Sequence, residues 1–119
     1  MNWLLIFIGG GLGSVLRFGI SKMALSSSVH FPLVTFLSNI FASLLLGIMV
    51  YISFKKPDLV WLQPFFMIGF CGGLSTFSTF SLENVQLFQN AQYWWLFGNI
   101  FVSIASCFLV LYFLLSFVK

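Results

Sequence analysis

Side chains able to make or break covalent bonds are scarce in this 119-residue chain. His30 is its only histidine, Asp58 and Glu83 its only carboxylates, and Cys71 and Cys107 its only cysteines. His30 falls in the polar stretch SSSVH and reads as a solvated loop residue. Both cysteines fall inside apolar segments and read as buried free thiols, not as a disulfide or a metal site. No acid–base pair or activated nucleophile can be assembled from this set, so an enzyme is not expected. The chain does hold neutral polar groups at helical spacing within apolar sequence, which suits hydrogen bonding to something small and hydrated.

Three groups carry that chemistry. Thr35 and Asn39 lie one helical turn apart, on one face. An amide in hydrocarbon must find partners, so Asn39 either joins helices or presents a donor to a pore. Asn99, Ser103 and Cys107 repeat at spacing four, a polar stripe on an otherwise apolar segment. A single such hydroxyl often bonds only to its own i−4 carbonyl, whereas three in line form a track. The third group is GFCGGLSTFSTFS, from Gly69 to Ser81, where hydroxyls and rings alternate after a glycine pair: Ser75, Thr76, Phe77, then Ser78, Thr79, Phe80. Gly72-Gly73 is a poor place for a continuous helix. Non-helical backbone at membrane depth is tolerated only where protein or a cavity satisfies it, and freed carbonyls can coordinate a cation. Phe77 and Phe80 project from nearly one face after that break. They either pack in a core or turn the positive edges of their rings toward an anion in a dry site.

The elements that must position these groups follow from composition. Hydrophobic residues make up 61% of the chain and charged residues 6%, against roughly 25% charged in a soluble domain, so the bilayer is the expected solvent. Four stretches are long and apolar enough to cross it: about Trp3 to Met23, about Pro32 to Phe54, near Trp61 to about Phe88, and about Tyr93 to Val118. Trp61, Tyr93, Trp94 and Trp95 fall at segment ends, where interfacial aromatics belong. The expected fold is an all-α membrane protein, one four-helix transmembrane domain over residues 1–119, with a break in helix three. A secretory signal fits poorly, because no Lys or Arg precedes the first apolar run and that run continues into Arg17 without a small-residue cleavage site. The net charge of +3 is spread without a basic run, which argues against nucleic acid as a partner.

Orientation is nearly undetermined by charge. With four spans, Lys55, Lys56 and Lys119 share one side, while Lys22, with Arg17 near the same helix end, marks the other. Polar pathways across membranes are commonly built from two inversely oriented repeats, and this chain holds no second copy of its own pattern. An antiparallel, dual-topology homodimer is therefore expected. In helix one, Gly9 and Gly13 lie four apart in GGGLGSVLRFG and suit close helix packing. Arg17 in that stretch either snorkels or draws anions toward a vestibule.

GGGLGSVLRF, Asn39 and above all GFCGGLSTFSTFS resemble the Fluc (CrcB) family of fluoride channels, and the resemblance covers the whole chain. It implies a multi-pass protein of the cell inner (plasma) membrane, a dual-topology homodimer that lets fluoride leave the cell passively through two pores between subunits. It implies a central structural sodium ion on backbone carbonyls that map onto Gly72 and Ser75. The pore phenylalanines map onto Phe77 and Phe80 and the pore asparagine onto Asn39, with Ser78 and Thr79 in the same motif. Asn99, Ser103 and Cys107 match the spacing of the family's polar track. Ser75 stands where many members have Thr, and Cys107 is a weak donor at its end of the track. Glu83 either sits at a pore mouth or reaches the interface. Two other classes compete: a small dual-topology, proton-coupled multidrug-type exporter, which needs a membrane carboxylate that only Glu83 could supply, and a non-transporting assembly subunit whose polar face is helix glue.

Overall fold

The computed structural model describes residues 1–26 and 31–118. The expectations for His30 and for the Ser27-Ser28 connection lie outside the described residues. Every regular element described is helical. Four helical spans are long and apolar enough to cross a membrane, Asn2–Ala24, Pro32–Lys55, Gln63–Gln89 and Tyr93–Ser116, the shortest of 23 residues. At 1.5 Å per residue that is roughly 35 Å, enough for a hydrocarbon core of about 30 Å. The first, second and last spans are the helices α1 (Asn2–Ser26), α2 (Phe31–Lys55) and, at the end of the chain, α5 (Tyr93–Ser116).

Burial is inverted relative to a water-soluble domain. Trp3, Phe7, Phe101 and Phe108 stand exposed on the outer faces, while Thr35, Ser38, Glu83, Asn84 and Ser103 are buried beside Ala42, Cys71, Leu74 and Phe80. Lipid tails solvate the rings, and the polar groups turn inward to find one another. Trp61, Tyr93, Trp94 and Trp95 are exposed at segment ends.

The third span is composite. It opens as a π-helical segment, Gln63–Phe70, with Pro64 in its first turn, where a missing amide hydrogen costs nothing. This runs into the single turn α3 (Cys71–Leu74), and after an extended step α4 (Phe77–Gln89) completes the span. α1 packs on the π-helical segment and α3, whereas α2 packs chiefly on α5. The first contact is backbone to backbone. A Cβ at Gly9 would collide with the carbonyl oxygen of Phe65, one at Gly13 with that of Phe70, and one at Gly73 with that of Gly10. A Cβ at Gly69 would lie 2.9 Å from the Ile6 carbonyl oxygen. Gly9, Gly13, Gly69 and Gly73 thus share one seam, each against main chain of the other helix, the close packing that the spacing in helix one suggests.

The glycine pair does not interrupt the third span where the sequence suggests. Gly72 and Gly73 lie within α3, and no described glycine has positive φ. The extended residues are Ser75, at φ −76° and ψ 156°, and Thr76, at φ −153° and ψ 122°. The physical reason is that Gly73 is needed for its missing side chain, against α1. Departure from the helix requires something else, namely other partners for the amides beyond. Thr76 supplies one of them as the N-cap of α4: its hydroxyl accepts the Thr79 amide hydrogen at 3.2 Å.

Between α4 and α5 the chain turns at Ala91, which has φ 55°. The Gln92 amide donates to the Leu87 carbonyl at 2.9 Å and the Ala91 amide to that of Phe88 at 3.0 Å. These bonds tie off the last carbonyls of α4 around a left-handed residue, an arrangement glycine usually serves.

Candidate functional site

Asn39 on α2 meets the extended step directly. Its Oδ1 accepts the Thr76 amide hydrogen at 2.8 Å, and its Nδ2 donates to the Thr76 carbonyl at 3.4 Å. The carboxamide therefore substitutes for the helical partners that Thr76 gives up. In a continuous helix the Thr76 amide would close on the Gly72 carbonyl and the Thr79 amide on the Ser75 carbonyl. Both amides are taken by side chains instead, so the Gly72 and Ser75 carbonyls are among those released at the step, the Gly73 carbonyl lying 3.5 Å from the Ser14 hydroxyl. Ser75 also donates its hydroxyl to the Cys71 carbonyl at 2.8 Å, which keeps that hydroxyl local. No cluster of three or more His, Cys, Asp or Glu side chains placed to hold a metal occurs among the described residues.

Around the step, Thr76 Oγ1 donates to Thr79 Oγ1 at 3.2 Å and lies 3.3 Å from Ser78 Oγ. Ser78 and Thr79 belong to this hydroxyl cluster and do not line the groove beside it. That groove, about 350 Å³, is lined by Asn39, Ser43, Ser75, Thr76, Phe77, Phe80, Ser103, Ile104 and Cys107. It gathers residues from α2, α4, α5 and the extended step, including seven that the sequence singles out. Ser43 is an addition; it follows Asn39 by four residues, and that spacing alone would have flagged it. The two rings differ in setting: Phe80 is 8% exposed and Phe77 78% exposed, with centroids 5.9 Å apart and planes at 42°.

Asn99 lies outside this groove, in a second cleft of about 340 Å³ whose wall also includes Ser103, Phe36, Trp94 and Trp95. Asn99 Nδ2 donates to Asn84 Oδ1 at 2.9 Å, and Ser103 Oγ donates to Asn99 Oδ1 at 3.2 Å. Arg17 is half-buried and its Nε has no hydrogen-bond partner. Gly72 is exposed, and a Cβ there would meet nothing within 4 Å.

Glu83 does not reach the surface of the chain. It is buried on α4, where the Thr35 hydroxyl donates to its Oε1 while Oε2 has no partner. The physical reason is register: Phe80, Glu83, Asn84 and Leu87 recur at three and four residues and form the buried face of α4. Nothing in the sequence near Glu83 announces its partner, which lies 48 residues away.

Residues 4–115 match the family model described as CrcB-like protein, Camphor Resistance (CrcB). The chain is 45% identical over 113 residues to the fluoride-specific ion channel FluC of Azobacteroides pseudotrichonymphae, covering 90% of this chain and 88% of that protein. It is 40% identical over 105 residues to the fluoride-specific ion channel FluC of Serratia proteamaculans, covering 87% of this chain and 82% of that protein. With the protein of the same name from Coxiella burnetii it shares 40% identity over 111 residues, 90% of this chain and 89% of that protein.

Proposed function

Because this chain belongs to the CrcB-like family, we propose that it is a fluoride-specific ion channel, without catalytic chemistry, that lets fluoride leave the cell passively. The observation that carries the proposal is the groove holding Asn39, Ser43, Ser103, Phe77 and Phe80 on one wall. Fluoride is small and strongly hydrated, so a selective path must replace its water with fixed donors. Asn39 keeps one amide hydrogen beyond the one aimed at Thr76. The Ser43 hydroxyl, the Cys107 thiol and the ring edges of Phe77 and Phe80 add to the set, and Ser103 borders them with its hydrogen given to Asn99 Oδ1. No Lys or Arg is among the lining residues, so the ion meets donors without being trapped by a full charge.

The same groove argues for a second copy. It opens at the surface of the chain beside the exposed Phe77, and a polar wall facing lipid is costly. A second chain in the opposite orientation closes it, in keeping with the nearly balanced Lys and Arg of the two sides. By two-fold symmetry the homodimer then contains two pores. The released carbonyls of Gly72 and Ser75, with Gly72 open to an approaching partner, suit a hard cation such as sodium; two per chain supply four oxygens at the dimer centre. Bound there, the ion would be a structural fixture of the assembly in the inner membrane. Arg17, with its unpaired Nε, is the candidate for drawing anions toward the vestibule.

A proton-coupled exporter retains one supporting observation, the buried carboxylate of Glu83. Fluoride efflux from liposomes containing the purified protein, with equal pH on both sides, separates the two. A channel passes fluoride down its gradient under those conditions. No fluoride efflux, with expulsion of a cationic dye only under a proton gradient, would replace the channel by the exporter.

A further inference from the structure

The polar stripe of α5 is wired in an unexpected sense. Ser103 gives its hydroxyl hydrogen to Asn99 Oδ1, and Asn99 gives an amide hydrogen to Asn84 Oδ1. Every donated hydrogen therefore points away from the groove and toward Asn84. Ser103 is 5% exposed and Asn84 9% exposed, with Asn99 half-buried between them, so both ends of this chain are shielded and only its middle borders the cleft. With its hydrogen committed to Asn99, Ser103 turns only lone pairs toward the groove that it shares with Phe77 and Phe80. An anion requires the opposite.

Two carboxamides in series can supply it. Each carries donors on one arm and an acceptor on the other, in nearly the same shape. A half-turn of both terminal amides lets Asn84 Nδ2 donate to Asn99 Oδ1 and Asn99 Nδ2 donate to Ser103 Oγ. The number of hydrogen bonds is unchanged, and the Ser103 hydrogen is released. The cleft beside Asn99 and Ser103 gives the Asn99 amide space to turn. Because the two senses have equal bond counts, the hydrogen bond to an arriving ion is enough to select between them.

We propose that Asn84 and Asn99 form an invertible amide pair that hands the Ser103 hydroxyl hydrogen to an anion in the groove. Asn84 is then a positioning residue, acting on the ion only through Asn99 and Ser103. The proposal rests on conduction of fluoride by this chain.

Fluoride efflux from liposomes, measured with an ion-selective electrode, tests it in five proteins: the unaltered chain, Asn84→Asp, Asn84→Leu, Asn99→Asp, and Asn84→Asp combined with Asn99→Leu. A carboxylate at position 84 only accepts, so it holds the pair in the sense that withholds the Ser103 hydrogen. Efflux is expected to fall about tenfold, the scale of one hydrogen bond to a charged group. Leucine there imposes no sense, and Asn84→Leu should conduct about tenfold faster than Asn84→Asp. Asn99→Asp captures the Ser103 hydrogen directly and should match Asn84→Asp, which covers the case where the latter fails to assemble. In the combined variant the charge remains but the link to Ser103 is cut, so efflux should rise above that of Asn84→Asp. A combined variant as slow as Asn84→Asp would make the effect simple charge repulsion and overturn the relay. Equal rates for Asn84→Asp and Asn84→Leu would overturn it as well. Absence of fluoride efflux from the unaltered chain would instead overturn the channel function beneath it.

Discussion

Replacing Asn39 by leucine probes the step in the third span more sharply than any change within the step itself. The side chains are similar in size, so packing is nearly conserved while both bonds to the Thr76 peptide disappear. The bond from Nδ2 to the Thr76 carbonyl, at 3.4 Å, is longer than an effective N–H···O bond and carries little energy. Nearly all the effect lies in the Thr76 amide, held by Oδ1 at 2.8 Å. Left without a partner at membrane depth, this part-buried amide costs about 1–3 kcal/mol. It can avoid that cost by closing on the Gly72 carbonyl, which extends α3 and removes that oxygen from those released at the step. Either way the working backbone is disfavoured by about 1–3 kcal/mol, or about 5- to 150-fold in population. Efflux per protein should fall at least about fivefold, together with a lower thermal midpoint for the detergent-solubilised assembly followed by size-exclusion elution. Asn39→Asp retains the acceptor for Thr76 but sets a carboxylate against the Thr76 carbonyl and the anion path. It should assemble better than Asn39→Leu and still conduct poorly. Unchanged efflux and midpoint in Asn39→Leu would show that the Thr76 peptide does not depend on α2.

Four further outcomes are expected. Phe80→Ile should assemble but lose most fluoride efflux in liposomes, since a buried apolar side chain remains while the positive ring edge is lost; full efflux would remove that ring from the ion path. Complete replacement of sodium by a large organic cation, after exhaustive dialysis, should weaken both assembly and efflux. Ser75→Ala should leave that sodium dependence intact, because the Ser75 hydroxyl is already given to the Cys71 carbonyl. Ala91→Gly should raise the thermal midpoint, because it removes a left-handed strain of about 1 kcal/mol at φ 55°, and a lowered midpoint would contradict it.

The four spans were legible because hydrocarbon thickness translates directly into run length. Pro32 to about Phe54 was expected and Pro32–Lys55 is found. Gly9 and Gly13 were legible for the same kind of reason, since four-residue spacing of small residues suits one close contact. Gly72-Gly73 misled because glycine has two uses, and sequence does not say whether a glycine loosens its own helix or admits another. The position of the step was written more plainly in Thr76, a hydroxyl residue able to accept the amide hydrogen of Thr79 three positions on. The links from Thr35 to Glu83 and from Asn84 to Asn99 were not legible at all. Each is a bond between separate helices, and helical periodicity reports which residues share a face without naming the residue opposite.

The glycine seam between α1 and the first half of the third span has a genetic consequence. When a larger residue collides with a side chain, a second mutation that trims the neighbour can restore the fit. Here Gly9, Gly13 and Gly73 each face a main-chain oxygen, that of Phe65, Phe70 and Gly10 respectively, and no codon change makes a carbonyl smaller. A screen for second-site suppressors of Gly13→Val should therefore yield reversions to glycine and little else. The same screen on Gly47, which faces the side chain of Leu114, should return smaller residues at 114. The two helix pairs of one small protein would then differ in kind: α2 and α5 can change together, whereas α1 and its partner can only be kept.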